Sequence, residues 1–156
     1  MKDFFIEKAE ISDSKLIWEL RNDEETRRMS INSEFISWVD HKSWFKNILN
    51  DKNTYIYVGK FKKQIIGIVR FNKIENNPNK FTVNINIAPE MRGKGYGKTL
   101  LKKGINEFSC ENKTAKYLKA EIKKSNHKSK KVFLNNGFKE TSFFSNKLNI
   151  LEFELY

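Results

Sequence analysis

The sequence predicts a mixed α/β domain built round one twisted sheet, and three observations carry that expectation. Apolar residues recur at helical spacing in four stretches, β-branched and aromatic residues dominate the stretches between them, and the two kinds of segment interleave in the order β-α-α-β-β-β-α-β-α-β-β. A chain of 156 residues fits one domain of roughly 100 to 200 residues. There is no internal repeat or linker, so residues 1–156 are read as a single unit.

The segment from Asp3 to Lys8 reads as a short strand. Ser12, Asp13 and Ser14 are N-cap candidates, and Leu16, Ile17 and Leu20 then mark a helix continuing to about Asn22. A second helix is expected from Asp40 to Leu49, with Trp44, Phe45, Ile48 and Leu49 on its apolar face. Thr54 to Phe61 and Gln64 to Ile74 form an antiparallel hairpin round the polar pair Lys62-Lys63. The stretch Asn76-Asn77-Pro78-Asn79 reads as a turn. In the strand Phe81 to Ala88, Val83, Ile85 and Ile87 alternate with Thr82, Asn84 and Asn86 until Pro89 stops it. Leu100, Leu101, Ile105 and Phe108 mark a helix, and Tyr117 to Ile122 a strand. A helix from about Asn126 ends at Gly137, and strands at about Phe138 to Phe144 and Leu148 to Leu155 finish the chain.

Composition excludes several classes. No run approaches the roughly 18 apolar residues needed to span a bilayer, and charges interrupt the N-terminal MKDFFIEKAE, so a soluble, cytoplasmic protein is expected, with no membrane partner. The single cysteine, Cys110, cannot form an internal bridge, and His41 and His127 lie too far apart for a zinc spacing, so no metal is expected. The net charge of +11 comes from 25 Lys against 5 Arg, spread along a chain that also carries 18 Asn. That distribution reads as a solvated basic surface, compatible with a small polyanionic ligand, and not as a nucleic-acid site.

The most informative segment joins a strand to a helix through three alternating glycines, Arg92-Gly93-Lys94-Gly95-Tyr96-Gly97, followed by Lys98. Glycines let a ligand approach the main chain, and the free N–H groups of a helix start favour an anion by roughly 0.3–2 kcal/mol. A Walker loop would need glycine at position 92, which is Arg92, and the dinucleotide fingerprint would need it where Lys98 or Leu100 stands. The pattern that fits is R-x-x-G-x-G.

With this loop, and with Asn126-His127-Lys128-Ser129 followed by a helix ending in Asn136-Gly137-Phe138, the chain resembles the GNAT acyltransferases over roughly residues 54–138. The resemblance implies the GNAT fold: a mixed, mostly antiparallel sheet of six or seven strands with about four helices. Its central parallel strands, ending at Ile87 and Ile122, would splay to admit acetyl-CoA. It further implies that the strand edge at Ile87 pairs with the pantetheine arm. Arg92, Gly93, Lys94, Gly95, Tyr96 and Gly97 would hold the pyrophosphate, mainly through backbone N–H groups, with Lys98 nearby. Asn126 and Ser129 would face the pantetheine or phosphate end, and Lys130 and Lys131 are candidates for the adenosine phosphates.

Acetyl transfer to an amine needs a neutral amine, a donor for the oxyanion and a donor for the departing thiolate. The family often serves the thiolate with a tyrosine four residues before the second motif's glycine, and here that position is Phe133. Ser129 and Asn126 are then the nearest candidate donors. The strand positions that often carry a glutamate base hold Thr82, Asn84 and Asn86, which leaves His41 or Glu121 to act through water. An amine of pKa near 10.4 is neutral about one time in a thousand at pH 7.4, a cost of roughly 4 kcal/mol, whereas one near 8 costs under about 1. Amino sugars and peptide N-termini are therefore favoured over lysine side chains.

Acceptor choice is expected from Trp18 to Phe45. There Arg21-Asn22-Asp23-Glu24, Arg27-Arg28-Met29-Ser30 and His41-Lys42-Ser43-Trp44-Phe45 resemble the acetyltransferases of nucleotide-linked amino sugars in the pseudaminic and legionaminic acid pathways. The resemblance implies a UDP-linked 4-amino-deoxy sugar as acceptor and Arg21, Asn22, Arg28, Ser30 and His41 as substrate-binding residues. The basic surface near Arg27 and Arg28 would meet the diphosphate. Glu24 and Glu25 read as solvated, and Trp44 and Phe45 as core. The alternatives are a peptide N-terminal acetyltransferase, similar to the ribosomal-protein group, and an acetyl-CoA sensor without turnover. The oligomeric expectation is a monomer or homodimer.

Overall fold

The computed structural model describes residues 3–145 and 150–155. Its strands are β1 (Phe4–Lys8), β2 (Thr54–Phe61), β3 (Gln64–Ile74), β4 (Asn77–Ile87), β5 (Tyr117–Lys123), β6 (Lys139–Ser145) and β7 (Ile150–Leu155). Its α-helices are α1 (Ser14–Asn22), α2 (Glu24–Met29), α3 (Trp38–Ile48), α4 (Tyr96–Glu111) and α5 (His127–Leu134). All seven strands join one sheet in the order β1-β2-β3-β4-β5-β7-β6. Every neighbouring pair is antiparallel except β4 and β5.

The β2-β3 hairpin occupies the span expected from its β-branched run. Its two-residue turn puts Lys62 and Lys63 at φ 48° and 68°, the left-handed pair that matches the twist of flanking strands. Cross-strand register then sets the two faces. Ile56, Arg70 and Asn84 stand opposite one another across β2, β3 and β4 on one face, and Tyr57, Val69 and Ile85 on the other. The second face is the larger core. Val69, Phe71, Phe81 and Val83 are packed there against Leu101 and Phe108 of α4. The Phe71 and Phe108 rings stack with centroids 4.2 Å apart. Gly104 lets α4 lie this close, since a Cβ there would fall 2.3 Å from a Val69 methyl group. On the first face Ile17 of α1 and Phe45 of α3 cover Ile56.

Three expectations are corrected. The polar stretch after Asn22 contains a separate helix, α2, because the Asp23 side chain accepts from the Thr26 N–H and caps it. β4 begins at Asn77, inside the expected turn, because Asn76 takes φ 59° and reverses the chain in less space. Phe138 lies before β6, in the core, edge-on to Phe133. The expected last strand is found as β7, inserted between β5 and β6, while residues 148–149 of that expectation lie outside the described residues. No helix among the described residues is long and apolar enough to cross a membrane.

Candidate active site

β4 and β5 pair at only three positions, Lys80 with Tyr117, Phe81 with Leu118 and Thr82 with Lys119. Beyond them, residues 83–87 of β4 and 120–123 of β5 run on without partnering each other. The wedge opens into a cavity of about 1010 Å³, lined from both strands, from Arg92, Gly93 and residues 95–98, though not from the predicted Lys94, and from α1, α2, α3 and α5.

At one end lies the glycine loop. Gly93 and Gly95 take φ 75° and 79°, and a Cβ built on either would meet nothing within 4 Å, so the backbone faces open space. Gly95 is the N-cap of α4 and supplies no side-chain acceptor, which leaves the first N–H groups of that helix for a ligand. Tyr96 anchors the helix start, its ring 5.5 Å from Phe61 and 6.4 Å from Phe4. Gly97 faces α5, where a Cβ would come within 3.1 Å of Val132. An open cradle of N–H groups beside an unpaired strand edge fits a pyrophosphate and a pantetheine arm.

The Arg92 side chain does different work. Its Nε donates to the Ile87 carbonyl at 3.1 Å, Nη1 to Glu25 at 3.1 Å, and Nη2 to Asp23 at 2.6 Å and Thr26 at 3.0 Å. Thr26 in turn donates to Asn86 at 3.1 Å, and Asn86 donates to the Leu20 carbonyl at 2.8 Å, which binds the end of β4 to α1 and α2. Glu25 is not a free surface acid: although a third exposed, it is paired on both oxygens, the second taking Lys128 of α5 at 2.9 Å. Lys123 at the end of β5 donates to the Arg28 carbonyl at 2.9 Å. α2 therefore bridges the ends of both diverging strands. Lys128, joined by Arg92 and opposed by a weaker burial effect, holds the Glu25 carboxyl below the usual carboxylate range. Burial raises Asp23, but the Thr26 N–H and Arg92 outweigh it and hold that carboxyl low as well.

The second motif lines the opposite wall. Asn126 caps α5 by accepting from the Ser129 N–H at 3.1 Å, so its oxygen is engaged. Ser129 and Lys131 line the cavity. Phe133 lines it too, is 2% exposed and carries no polar atom to offer a thiolate.

The remaining predicted residues lie on α1, on α2 and at its C-cap, and on α3, and of Asn22, Arg28, Ser30 and His41 only Ser30 and His41 line the cavity. Asn22 pins residue Ile36 twice, donating to its carbonyl and accepting from its N–H at 2.9 Å each. Ser30 donates to the Thr26 carbonyl at 2.7 Å. Arg28 is exposed and does not line the cavity. His41 does line it, but its ring is 2% exposed, stacked between Trp38 and Phe45. Its Nε2 lies 2.8 Å from the Ser14 carbonyl, which can only accept, so Nε2 carries the proton. Burial lowers the His41 pKa, against a smaller upward pull from that hydrogen bond. Phe45 is core as expected, whereas Trp44 is corrected: it lines the cavity and stands 5.8 Å from the Arg70 guanidinium.

The family profile described as an acetyltransferase (GNAT) domain matches residues 3–139. The chain belongs to the GNAT acetyltransferase family. Its sheet is the GNAT fold, and GNAT enzymes are acetyl-CoA-dependent N-acetyltransferases that act on amines. Among curated proteins, acetyltransferase PseH of Campylobacter jejuni is 27% identical over 124 residues, covering 80% of this chain and 75% of that one. Among solved structures, spermidine N-acetyltransferase from Vibrio cholerae, in complex with CoA and spermine, superposes with a TM-score of 0.88 at 18% identity, covering 99% of this chain and 96% of the other. Ribosomal-protein-alanine N-acetyltransferase from Brucella melitensis gives 0.79 at 22%, covering 97% and 98%. This GNAT chain therefore shares its fold with enzymes named for quite different acceptors.

Sequence reasoning missed three site residues. Asp23 was given no role of its own and Glu25 read as solvated, and their partner Arg92 lies nearly seventy positions away, as the hydrogen bonds show. Arg70 lines the cavity but sits on a strand whose alternation alone gives no reason to single it out. A signal was available: the chain uses lysine for charge, and Arg70 is one of five arginines.

Proposed function

We propose that this enzyme transfers the acetyl group of acetyl-CoA to the primary amine of a nucleotide-activated amino sugar, a UDP-linked 4-amino-deoxy sugar being the acceptor. The observation that carries the reading is one continuous cavity, with the open glycine cradle at one end and a walled chamber under α1 and α3 at the other. The likeness to PseH supports the sugar over other amines.

In this reading acetyl-CoA supplies an activated acetyl thioester, and the chain's residues position and protonate. Residues 93–97 hold the pyrophosphate through main-chain N–H groups. The free edge of β4 at Ile87 orders the pantetheine arm, and Lys98 and Lys131 add charge near it. The acceptor amine approaches from the chamber between β4 and α1. Its proton leaves for His41 through water. Burial keeps that ring neutral, and with Nε2–H donating to Ser14, Nδ1 holds the lone pair. Ser129, on the wall opposite β4, donates to the departing sulfur. Glu25 is unsuited as the base, since Lys128 and Arg92 stabilise its ionised form.

Thiol release on mixing the protein, acetyl-CoA and one acceptor tests the reading. The UDP-linked 4-amino sugar is expected to give a kcat/KM at least tenfold above spermidine or an alanine-starting peptide. Faster release with the peptide would replace this reading by peptide N-terminal acetylation. Acetyl-CoA binding without release from any acceptor would replace it by a sensor.

A further inference from the structure

Arg21 and Arg70 both line the acceptor chamber, and among the described residues nothing acidic answers them. Among the described residues, every arginine ion pair belongs to Arg92. Arg21 donates through Nη2 to the Asn32 carbonyl at 2.7 Å, while its buried Nη1 has no partner. The buried Nε of Arg70 has none either, and its guanidinium lies 5.8 Å from the centre of the Trp44 ring. Arg27 stands behind them, its Nε also buried and unpartnered and its guanidinium 5.8 Å from the Phe35 ring. The carboxylates lining the cavity are committed elsewhere: Glu25 to Arg92 and Lys128, Asp40 to the Ser37 hydroxyl at 2.6 Å, and Glu121 to Lys119 at 3.1 Å.

Like charges gathered in a half-buried chamber destabilise one another and forgo hydration, a cost that a bound counter-ion removes. Burial first, and Arg21 second, press the Arg70 pKa downward; burial and then Arg27 do the same to Arg21. A guanidinium presents a planar fork of donors that matches phosphate oxygens, which lysine does not. In a chain with 25 lysines, these positions hold arginine.

We propose that Arg21 and Arg70, backed by Arg27, form a second anion site, separate from the glycine loop, that holds a phosphoryl group of the acceptor and sets acceptor choice. The diphosphate of a sugar nucleotide supplies such a group, and a polyamine is repelled by the same charges. The basic surface expected near Arg27 and Arg28 is thus replaced, as the proposed contact, by the Arg21-Arg70 pair, with Arg27 behind it and Arg28 left exposed. The proposal rests on the preceding reading for the direction from which the acceptor enters.

Inorganic pyrophosphate, titrated calorimetrically into protein saturated with CoA, tests it, because CoA already fills the glycine loop. The wild-type protein is expected to bind pyrophosphate. Arg70→Gln and Arg21→Gln should each weaken it at least tenfold, and Arg70→Lys by less. Lys52→Gln, an equal charge change outside the cavity lining, should shift it less than twofold. CoA affinity and Tm monitor folding, and if Arg70→Gln fails to fold, Arg21→Gln decides. No pyrophosphate binding to the CoA-loaded protein, or binding unchanged in a folded Arg70→Gln or Arg21→Gln variant, would overturn the site. Pyrophosphate binding of the expected kind together with turnover of spermidine and of no sugar nucleotide would uphold the site and overturn the amino-sugar reading instead.

Discussion

Arg92 Nη2 and Asp23 Oδ2 stand 2.6 Å apart, with side chains only 18% and 21% exposed, and this contact ties the glycine loop to the start of α2. A loop arginine bound to pyrophosphate alone would tolerate lysine. One that forks between Asp23, Glu25 and the Ile87 carbonyl would not. Arg92→Lys is therefore expected to cost about 1.5–3 kcal/mol, the range for hydrogen bonds to charged groups. That is about 3–12 °C in Tm for a chain this size. Thermal unfolding without ligand reads it, and an unchanged Tm would show the fork to be dispensable.

Gly95 is the N-cap of α4 at φ 79° with open space beside it. Gly95→Ala pays only the left-handed penalty, about 1–2 kcal/mol. Gly95→Asp adds a carboxylate against the pyrophosphate and should weaken CoA binding at least about tenfold beyond that. Calorimetric CoA titration of both variants separates backbone strain from charge. Equal affinities for the two would mean that the diphosphate binds elsewhere.

What was legible in the sequence was local. The hairpin from Thr54 to Ile74 and the loop from Arg92 to Gly97 are each defined by neighbours in the chain, so alternation and spacing reveal them. α2 was missed because a helix of six residues shows too little periodicity, and its order comes from the Asp23 cap and Arg92. The insertion of β7 between β5 and β6 rests on pairing between distant segments, which no local pattern encodes. The candidate site divides the same way. The glycine cradle was readable, but the use of Glu25 as a bridge to Lys128, and the meeting of Arg21 with Arg70, depend on how α1 and α2 lie over the sheet.

Phe133 occupies the place where the family often has a tyrosine, and its ring packs edge-on to Phe138 at 4.9 Å. If Ser129 serves the departing thiolate in its stead, Ser129→Ala should lower kcat about tenfold with CoA affinity retained. A thiol of pKa about 8.5 is a tolerable leaving group, so the loss stays modest. Phe133→Tyr in the Ser129→Ala background should then recover most of it by supplying a phenol. Steady-state kinetics at saturating acceptor check both. Full activity in Ser129→Ala would remove the serine from the mechanism.

His41 offers a test in which stability and rate read different things. Its folded pKa lies below the ordinary value, chiefly because burial disfavours the charged ring. The unfolded chain therefore binds a proton at higher pH than the folded one, and stability falls as pH drops below about 6.5 while being fully present above it. His41→Gln removes that titration, so the slope of Tm against pH between about 5 and 6.5 should be flatter than in the wild type. A structural role ends there. If the lone pair on Nδ1 also accepts the acceptor's proton, His41→Gln should lower kcat about a hundredfold at pH 7.4, the lower range for a general base, with the acceptor KM little changed. Parallel Tm slopes would show that the ring is not held neutral by burial. A kcat within threefold of wild type in folded His41→Gln would leave deprotonation to bulk water, which only an amine of low pKa tolerates.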